Sequence, residues 1–183
     1  MQGLRFGLRP VADHDIPFIL RVRRGNPFIG KGTDSAEAQR QWLAAYYDRP
    51  DDFYFVVQDS ATGEPHGLVG IYRVDADARS AEWGRWVLRA GSPAAVESAL
   101  LVYRCAFEKL TLETVYCRTL LHNLQVISFH DSCGLERGPA MKIVVNGTTC
   151  DAIEHRLERN GWPGVERRLS AIASRWATRP YAQ

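Results

Sequence analysis

Between Ser80 and Leu121 the chain changes hydrophobic period twice, and no other stretch constrains the fold as much. Ser80 to Arg89 is a β-branched and aromatic run. Gly91-Ser92-Pro93 then opens a segment whose apolar residues Val96, Ala99, Leu100, Tyr103, Phe107 and Leu110 recur at helical spacing, and Val115 to Leu121 returns to strand character. A helix set between two strands carries the chain back along the sheet, so this unit is a crossover rather than a hairpin.

The flanks supply the other elements. Leu4 to Leu8 alternates as a first strand, and Asp13-His14-Asp15 caps a helix through Ile16, Ile19, Leu20 and Val22 that ends at Arg23-Arg24-Gly25-Asn26-Pro27. Ser35 to Tyr47 predicts a second helix, with Ala36, Ala38, Trp42, Leu43 and Tyr46 as its apolar side. Phe53 to Gln58 and His66 to Val74, joined by Ala61-Thr62-Gly63-Glu64-Pro65, read as an antiparallel hairpin. Beyond the crossover come a helix from Asn123 to about Ser132 and a hairpin of Ala140 to Val145 with Thr148 to Arg156, turning at Asn146-Gly147. Last is an amphipathic helix from Pro163 to Trp176, whose apolar stripe either caps the sheet or meets a second copy. The order βααβββαβαββα, mixing antiparallel and crossover connections, implies one α+β domain on a mixed sheet, with 158–183 a C-terminal helical extension.

A chain of 183 residues, 45% of them hydrophobic, can bury a single core without a staple. A formal net charge of +2, not gathered in a tail, argues against nucleic-acid binding by phosphate neutralisation and leaves a small anionic ligand open. Cys105, Cys117, Cys133 and Cys150 make no Cys-x-x-Cys pair and have no His at ligand spacing, which predicts buried free thiols and no metal. No apolar signal core opens the sequence and no run reaches the roughly 18 apolar residues of a membrane helix, so the expectation is a cytoplasmic protein without a membrane partner.

Three places can carry chemistry. At the strand-to-helix junction, Ser92 as cap and Pro93 at the first helical position leave the amides of Ala94, Ala95 and Val96 open to an anion at the positive end of the helix dipole. Every helix has such a start, so the plain alternative is a cap and nothing more. In Glu82-Trp83-Gly84-Arg85-Trp86, alternation puts Glu82, Gly84, Trp86 and Leu88 on one face and Trp83, Arg85, Val87 and Arg89 on the other. A carboxylate desolvated by indoles suits a general base; the plainer reading has tryptophans filling the core and Glu82 paired with an arginine. On the helix after Asn123, His130 lies seven positions on and shares its face, and an imidazole titrates in the neutral range. The alternative there is a hydrogen-bonded packing histidine, with Phe129 and Cys133 as core contacts.

Taken in order, Glu82 to Arg89, Ala99-Leu100 to Leu110, Val115-Tyr116-Cys117-Arg118 and Asn123 to Cys133-Gly134-Leu135 resemble the GNAT superfamily of acetyl-CoA-dependent N-acetyltransferases over roughly residues 4–157. The nearest likeness is to members acting on nucleotide-linked amino sugars or on ribosomal-protein N-termini. The resemblance implies a mostly antiparallel seven-stranded sheet flanked by helices and splayed between the fourth and fifth strands. The pantetheine of acetyl-CoA would lie in that opening along Trp86, Val87, Leu88 and Arg89, and its pyrophosphate on Ser92, Ala94, Ala95 and Val96, with Asn123 and Phe129 also on the cofactor side. It further implies Glu82, through water, as the base and His130 as the acid for the leaving thiolate.

Two departures from the family pattern stand out. Ser92-Pro93-Ala94-Ala95-Val96 replaces the usual Arg/Gln-x-x-Gly-x-Gly/Ala loop, so side chains crowd the approach of backbone to phosphate and Pro93 removes a donor. His130 stands where members commonly have Tyr. Arg23-Arg24-Gly25-Asn26 is similar to a Trp-Arg-Asn segment in relatives that modify nucleotide-linked sugars, which makes Arg23, Arg24 and Asn26, with Trp83 as a stacking surface, the expected acceptor ligands. The function expected is transfer of acetyl to a primary amine of an amino sugar by direct attack, in a monomer or homodimer. A protein N-terminal or aminoglycoside acetyltransferase, or a non-catalytic binding module with this fold, are the alternatives.

Overall fold

The structure, a computed structural model, describes residues 1–24, 26, 28, 35–145 and 147–177. Its strands are β1 (Phe6–Pro10), β2 (Phe53–Asp59), β3 (Pro65–Asp75), β4 (Ser80–Leu88), β5 (Thr114–Leu120), β6 (Glu136–Val145) and β7 (Thr148–Glu158). The helices are α1 (Ile16–Arg23), α2 (Ala36–Tyr47), α3 (Ala95–Arg104), α4 (Leu124–Cys133) and α5 (Trp162–Ala177). All seven strands join one sheet in the order β1-β2-β3-β4-β5-β7-β6, and every neighbouring pair is antiparallel except β4 and β5. The element order and the mixed α+β sheet are those read from the sequence.

The single parallel pair is short. Ser80, Ala81 and Glu82 pair with Thr114, Val115 and Tyr116, after which the strands separate. From Trp83 to Leu88 the edge of β4 toward β5 therefore has no strand beside it, and the sheet opens there.

Alternation along the strands divides the core between the two faces. Val69, Ile71, Ala81, Trp83 and Val115 pack with Leu101 and Tyr103 of α3 and with Val165 and Leu169 of α5. On the opposite face Tyr54, Val56, Leu68 and Val87 meet Ile16 and Ile19 of α1 and Leu43 and Tyr46 of α2. The C-terminal helix thus caps the sheet: Trp162 is buried, with its ring 5.4 Å from Phe107 and 5.9 Å from Tyr103.

Local chemistry accounts for several element ends. Ser35 accepts the Ala38 amide at the start of α2. Gly134, at φ 80°, closes α4, and a Cβ there would stand 2.6 Å from the Arg168 guanidinium, which donates to the Ser132 carbonyl. β6 begins at Glu136, four residues before the expected Ala140. Pro139 is accommodated because β6 is an edge strand and its register with β7 shifts between Arg137 and Ala140. The helix expected to continue to Leu110 ends at Arg104 and passes into one wider turn, Cys105–Lys109, that keeps Phe107 in the core. Of the predicted Asn146-Gly147 turn, Asn146 lies outside the described residues, while Gly147 has φ 76°.

Candidate active site

A bulge in β4 sets the geometry. Leu68 pairs with Val87 and Gly70 with Gly84, so β4 carries one residue more than β3 across this stretch, and Arg85 takes φ 51°. The extra residue breaks the alternation expected for Glu82 to Arg89. Trp83 and Trp86 lie on the same face, with ring centroids 5.5 Å apart, rather than on opposite faces. Trp83, expected to meet the acceptor, is instead 1% exposed in the core, its indole N–H donating to Tyr103 Oη at 3.0 Å. Trp86 is half-buried and donates to Ser98 Oγ at 3.0 Å.

Glu82 faces the α1/α2 side. Its Oε2 accepts from Arg73 at 2.7 Å and from Arg118 at 3.4 Å, and its Oε1 from the Tyr72 hydroxyl at 3.3 Å. Of the two readings open from the sequence, the structure gives the arginine-paired one. Arg73 is largely exposed and held on one side only, whereas Arg118 is also bound to Glu154 at 3.2 Å. Tyr72 is pinned in turn. Arg85 lies 4.3 Å above its ring and forms a two-pronged ion pair with Asp52, one prong at 2.8 Å. Burial and the neighbouring Glu82 push the Tyr72 phenol well above its ordinary pKa, so it remains a proton donor to the carboxylate. Arg73 and Arg85, both in the left-handed region, mark the two register shifts that bracket the Tyr72–Glu82 pair.

His130 faces the other side of the sheet. Cys117, 3.4 Å from His130 Nε2, and Arg118, bound to Glu82, are consecutive on β5 and point to opposite faces. The expected base and acid are therefore not brought together. His130 is 2% exposed among Trp83, Trp86, Phe129 and His155, and its Nδ1 has no hydrogen-bond partner among the described residues. Burial first, then His155, push its pKa down to about 3, and Asp131 opposes them only in part. The imidazole is neutral at physiological pH. Nor does Asn123 share a helical face with it: Asn123 is the residue before α4, and its side-chain oxygen folds back to accept the Val126 amide at 3.4 Å. Phe129 is half-buried with its ring 5.3 Å from Trp86, at the opened edge of β4.

The turn into α3 differs from the expected cap. The helix begins at Ala95, so Ser92 and Pro93 precede it, and Ser92 Oγ accepts the Ala94 amide at 3.2 Å. The amide of Ala94 is thereby occupied, while those of Ala95, Val96 and Glu97 open the helix, where no carbonyl one turn back lies within it. Ala95 and Val96 are half-buried. Arg89 follows β4 and binds Glu64 and His66; Val87 is buried on the α1/α2 face and Leu88 half-buried on the other. These open amides, the parted strands and the apolar Trp86 and Phe129 beside them fit an extended ligand with an anionic end.

Of the residues expected to meet the acceptor, Arg23 reaches the Tyr54 phenol and Arg24 is exposed at the end of α1. Asn26 accepts the Phe28 amide at 2.9 Å, and Phe28 meets His122 with ring centroids 5.3 Å apart, close to the β5–α4 connection. Gly25 and Pro27 lie outside the described residues. Sequence reasoning missed Asp52, His66, Tyr72, Arg73, Arg85 and Arg118. The hairpin between β3 and β4 does place Tyr72 opposite Glu82, but the register shift between Tyr72 and Asp75 defeats counting back from its turn.

The description "Acetyltransferase (GNAT) domain" fits residues 5–136. Among solved structures, FdhC, titled a nucleotide-linked sugar GNAT, superposes with TM-score 0.75 at 28% identity, over 97% of each chain. SpeG, a spermidine N-acetyltransferase from Vibrio cholerae, superposes with TM-score 0.76 at 17% identity, over 88% of this chain and 98% of that one. A search of curated proteins finds no match. With a family match over most of its length and the parted parallel strands of an acyl-transfer fold, the chain belongs to the GNAT acetyltransferases.

Proposed function

We propose that this acetyltransferase acetylates the primary amine of a nucleotide-linked amino sugar. The observation that carries the reading is the guanidinium density around Glu82. Arg73 and Arg118 touch it, Arg85 lies across Tyr72, and Arg118 and Arg156 flank the Tyr116 ring. Trp42, Tyr46 and Tyr54 add an aromatic surface beside Arg85. Each guanidinium is ion-paired, to Glu82, Asp52 or Glu154, but the exposed Arg73 can pass from Glu82 to a phosphate oxygen, which suits an amine that also carries phosphate. The likeness to the nucleotide-linked sugar enzyme supports this choice over spermidine.

Acetyl-CoA supplies the acetyl group and keeps the electron pair of the broken C–S bond as thiolate. Ala95, Val96 and Glu97 offer amides to its pyrophosphate, and the unpaired edge of β4 from Trp83 to Leu88 offers backbone donors to the thioester. Glu82 receives the acceptor. A substrate ammonium displaces the exposed Arg73 from Oε2 and gives one proton through water to Glu82 to become the attacking amine; the second N–H proton, lost as the N–C bond forms, goes to the departing thiolate. Neutral His130 holds only one ring proton and acts as a hydrogen-bonding wall rather than as the acid.

The test is a screen of nucleotide-linked amino sugars, free amino sugars, spermidine and peptides with acetyl-CoA, read by thiol release. The expected result is highest kcat/KM for a nucleotide-linked amine, with loss of the nucleotide raising KM at least about tenfold. Equal or better turnover of spermidine, or no gain from the nucleotide, would refute the acceptor class.

A further inference from the structure

His66, the second residue of β3, is fully buried and joins β4 to the turn before α3. Its Nε2 lies 2.9 Å from Arg89 Nη2 and its Nδ1 3.0 Å from Ser92 Oγ. A guanidinium only donates, so Nε2 must accept. The proton of the neutral imidazole is then on Nδ1, donated to Ser92. Burial and Arg89 both favour the neutral form, against weaker opposition from Glu64 and Asp59, and Arg5 reinforces it.

The consequence falls on Ser92. Its hydroxyl has two lone pairs and one proton. One lone pair takes His66 Nδ1–H and the other takes the Ala94 amide, so only the proton is left to bond outward. We propose that His66 is a positioning residue of the anion-binding turn: it makes the Ser92 hydroxyl a dedicated donor to a phosphate oxygen of coenzyme A, beside the amides of Ala95 and Val96. This supplies a side-chain donor where Pro93 removes a backbone one. The inference rests on the acyl-transfer reading above, since it needs coenzyme A at this turn.

Two amide substitutions separate the two bonds of the imidazole. The asparagine side chain extends about as far as Nδ1, and the glutamine side chain about as far as Nε2. His66→Asn keeps a donor for Ser92, whereas His66→Gln keeps only the contact with Arg89. Michaelis constants are measured with acetyl-CoA and with acetyl-pantetheine, which lacks the pyrophosphate. His66→Gln and Ser92→Ala should each raise KM for acetyl-CoA about tenfold with kcat within about twofold, and His66→Asn should stay within about threefold of the parent. KM for acetyl-pantetheine should not move in any of them. Should His66→Gln fail to fold, Ser92→Ala, on a half-buried turn, carries the same comparison. Equal effects of Asn and Gln, or an equal loss with acetyl-pantetheine, overturn this role alone. A parent protein that shows no heat of binding with coenzyme A overturns the acyl-transfer reading as well.

Discussion

Replacing His130 by leucine should make the protein more resistant to acid, by an amount the structure sets. In the folded protein burial lowers the His130 pKa from 6.5 to about 3. Between those values the unfolded chain binds a proton that the folded one refuses, so stability is intact above pH 6.5 and declines as the pH falls through this window. At pH 4.5 the unfolded imidazole is protonated about a hundredfold over neutral while the folded one stays neutral, a cost of about 3 kcal/mol. Leucine has a similar volume and does not titrate. At pH 7.5 the variant loses the contact with Cys117 but also the buried, unpartnered Nδ1, so the two proteins should agree within about 1 kcal/mol. Urea unfolding at the two pH values reads the difference. The parent's midpoint should fall further than the variant's by about 1 M, given a slope of about 2 to 3 kcal/mol per molar for a chain of this size. His66 is present in both and cancels. An equal fall in the two midpoints would show that His130 is not held neutral in the fold.

Two other substitutions test the acceptor side. Asp52→Ala strands the half-buried Arg85 guanidinium and should cost about 2 to 3 kcal/mol in urea unfolding at pH 7.5, with Asp52→Asn milder; a loss under 0.5 kcal/mol, on the order of a surface pair, would mean that Arg85 finds water instead. Gly84→Ala puts a Cβ into the Tyr72 hydroxyl and should drive it off Glu82. KM for the amine should then rise about fivefold while KM for acetyl-CoA holds, and a matched rise in both would point to a general disturbance of β4.

The sequence carried the element order because strand and helix periods differ and changes of period fall at turn residues such as Gly91 and Gly134. It carried the crossover between Ser80 and Leu121 for the same reason. Side-chain partners were another matter. The split of Glu82 and Trp86 from Trp83 assumed unbroken alternation, and one extra residue at Arg85 moved Trp86 across. Nothing in Glu82-Trp83-Gly84-Arg85-Trp86 announces that bulge, since Arg85 rather than glycine takes the positive φ. Ser92 was close to the right role, two residues before the position from which it would cap the helix. His130 was found by its spacing from Asn123, but its environment comes from β5 and β7, which contribute Cys117 and His155 across the sheet.

The division between faces decides how the chemistry is shared. Glu82 and Arg118 belong to the α1/α2 side, and Trp83, Cys117 and His130 to the α3/α5 side. Among the described residues no hydrogen-bonded side-chain constellation spans the sheet, and the two sides open to each other where β4 and β5 part beyond Glu82 and Tyr116. On the proposed reading, an amine held by Glu82 would meet the thioester in that opening. The donors available there are the unpaired backbone edge of β4 and the tautomer-dependent N–H of a neutral imidazole. A general acid needs a proton it can release near neutral pH, and a His130 titrating near 3 has given its up already. On the proposed reading, catalysis would rest on placement and backbone polarity more than on paired acid and base. Glu82 is the one titratable side chain beside the opening whose removal should cost the orders of magnitude in kcat that proton transfer supplies, whereas a His130 variant should lose about tenfold or less.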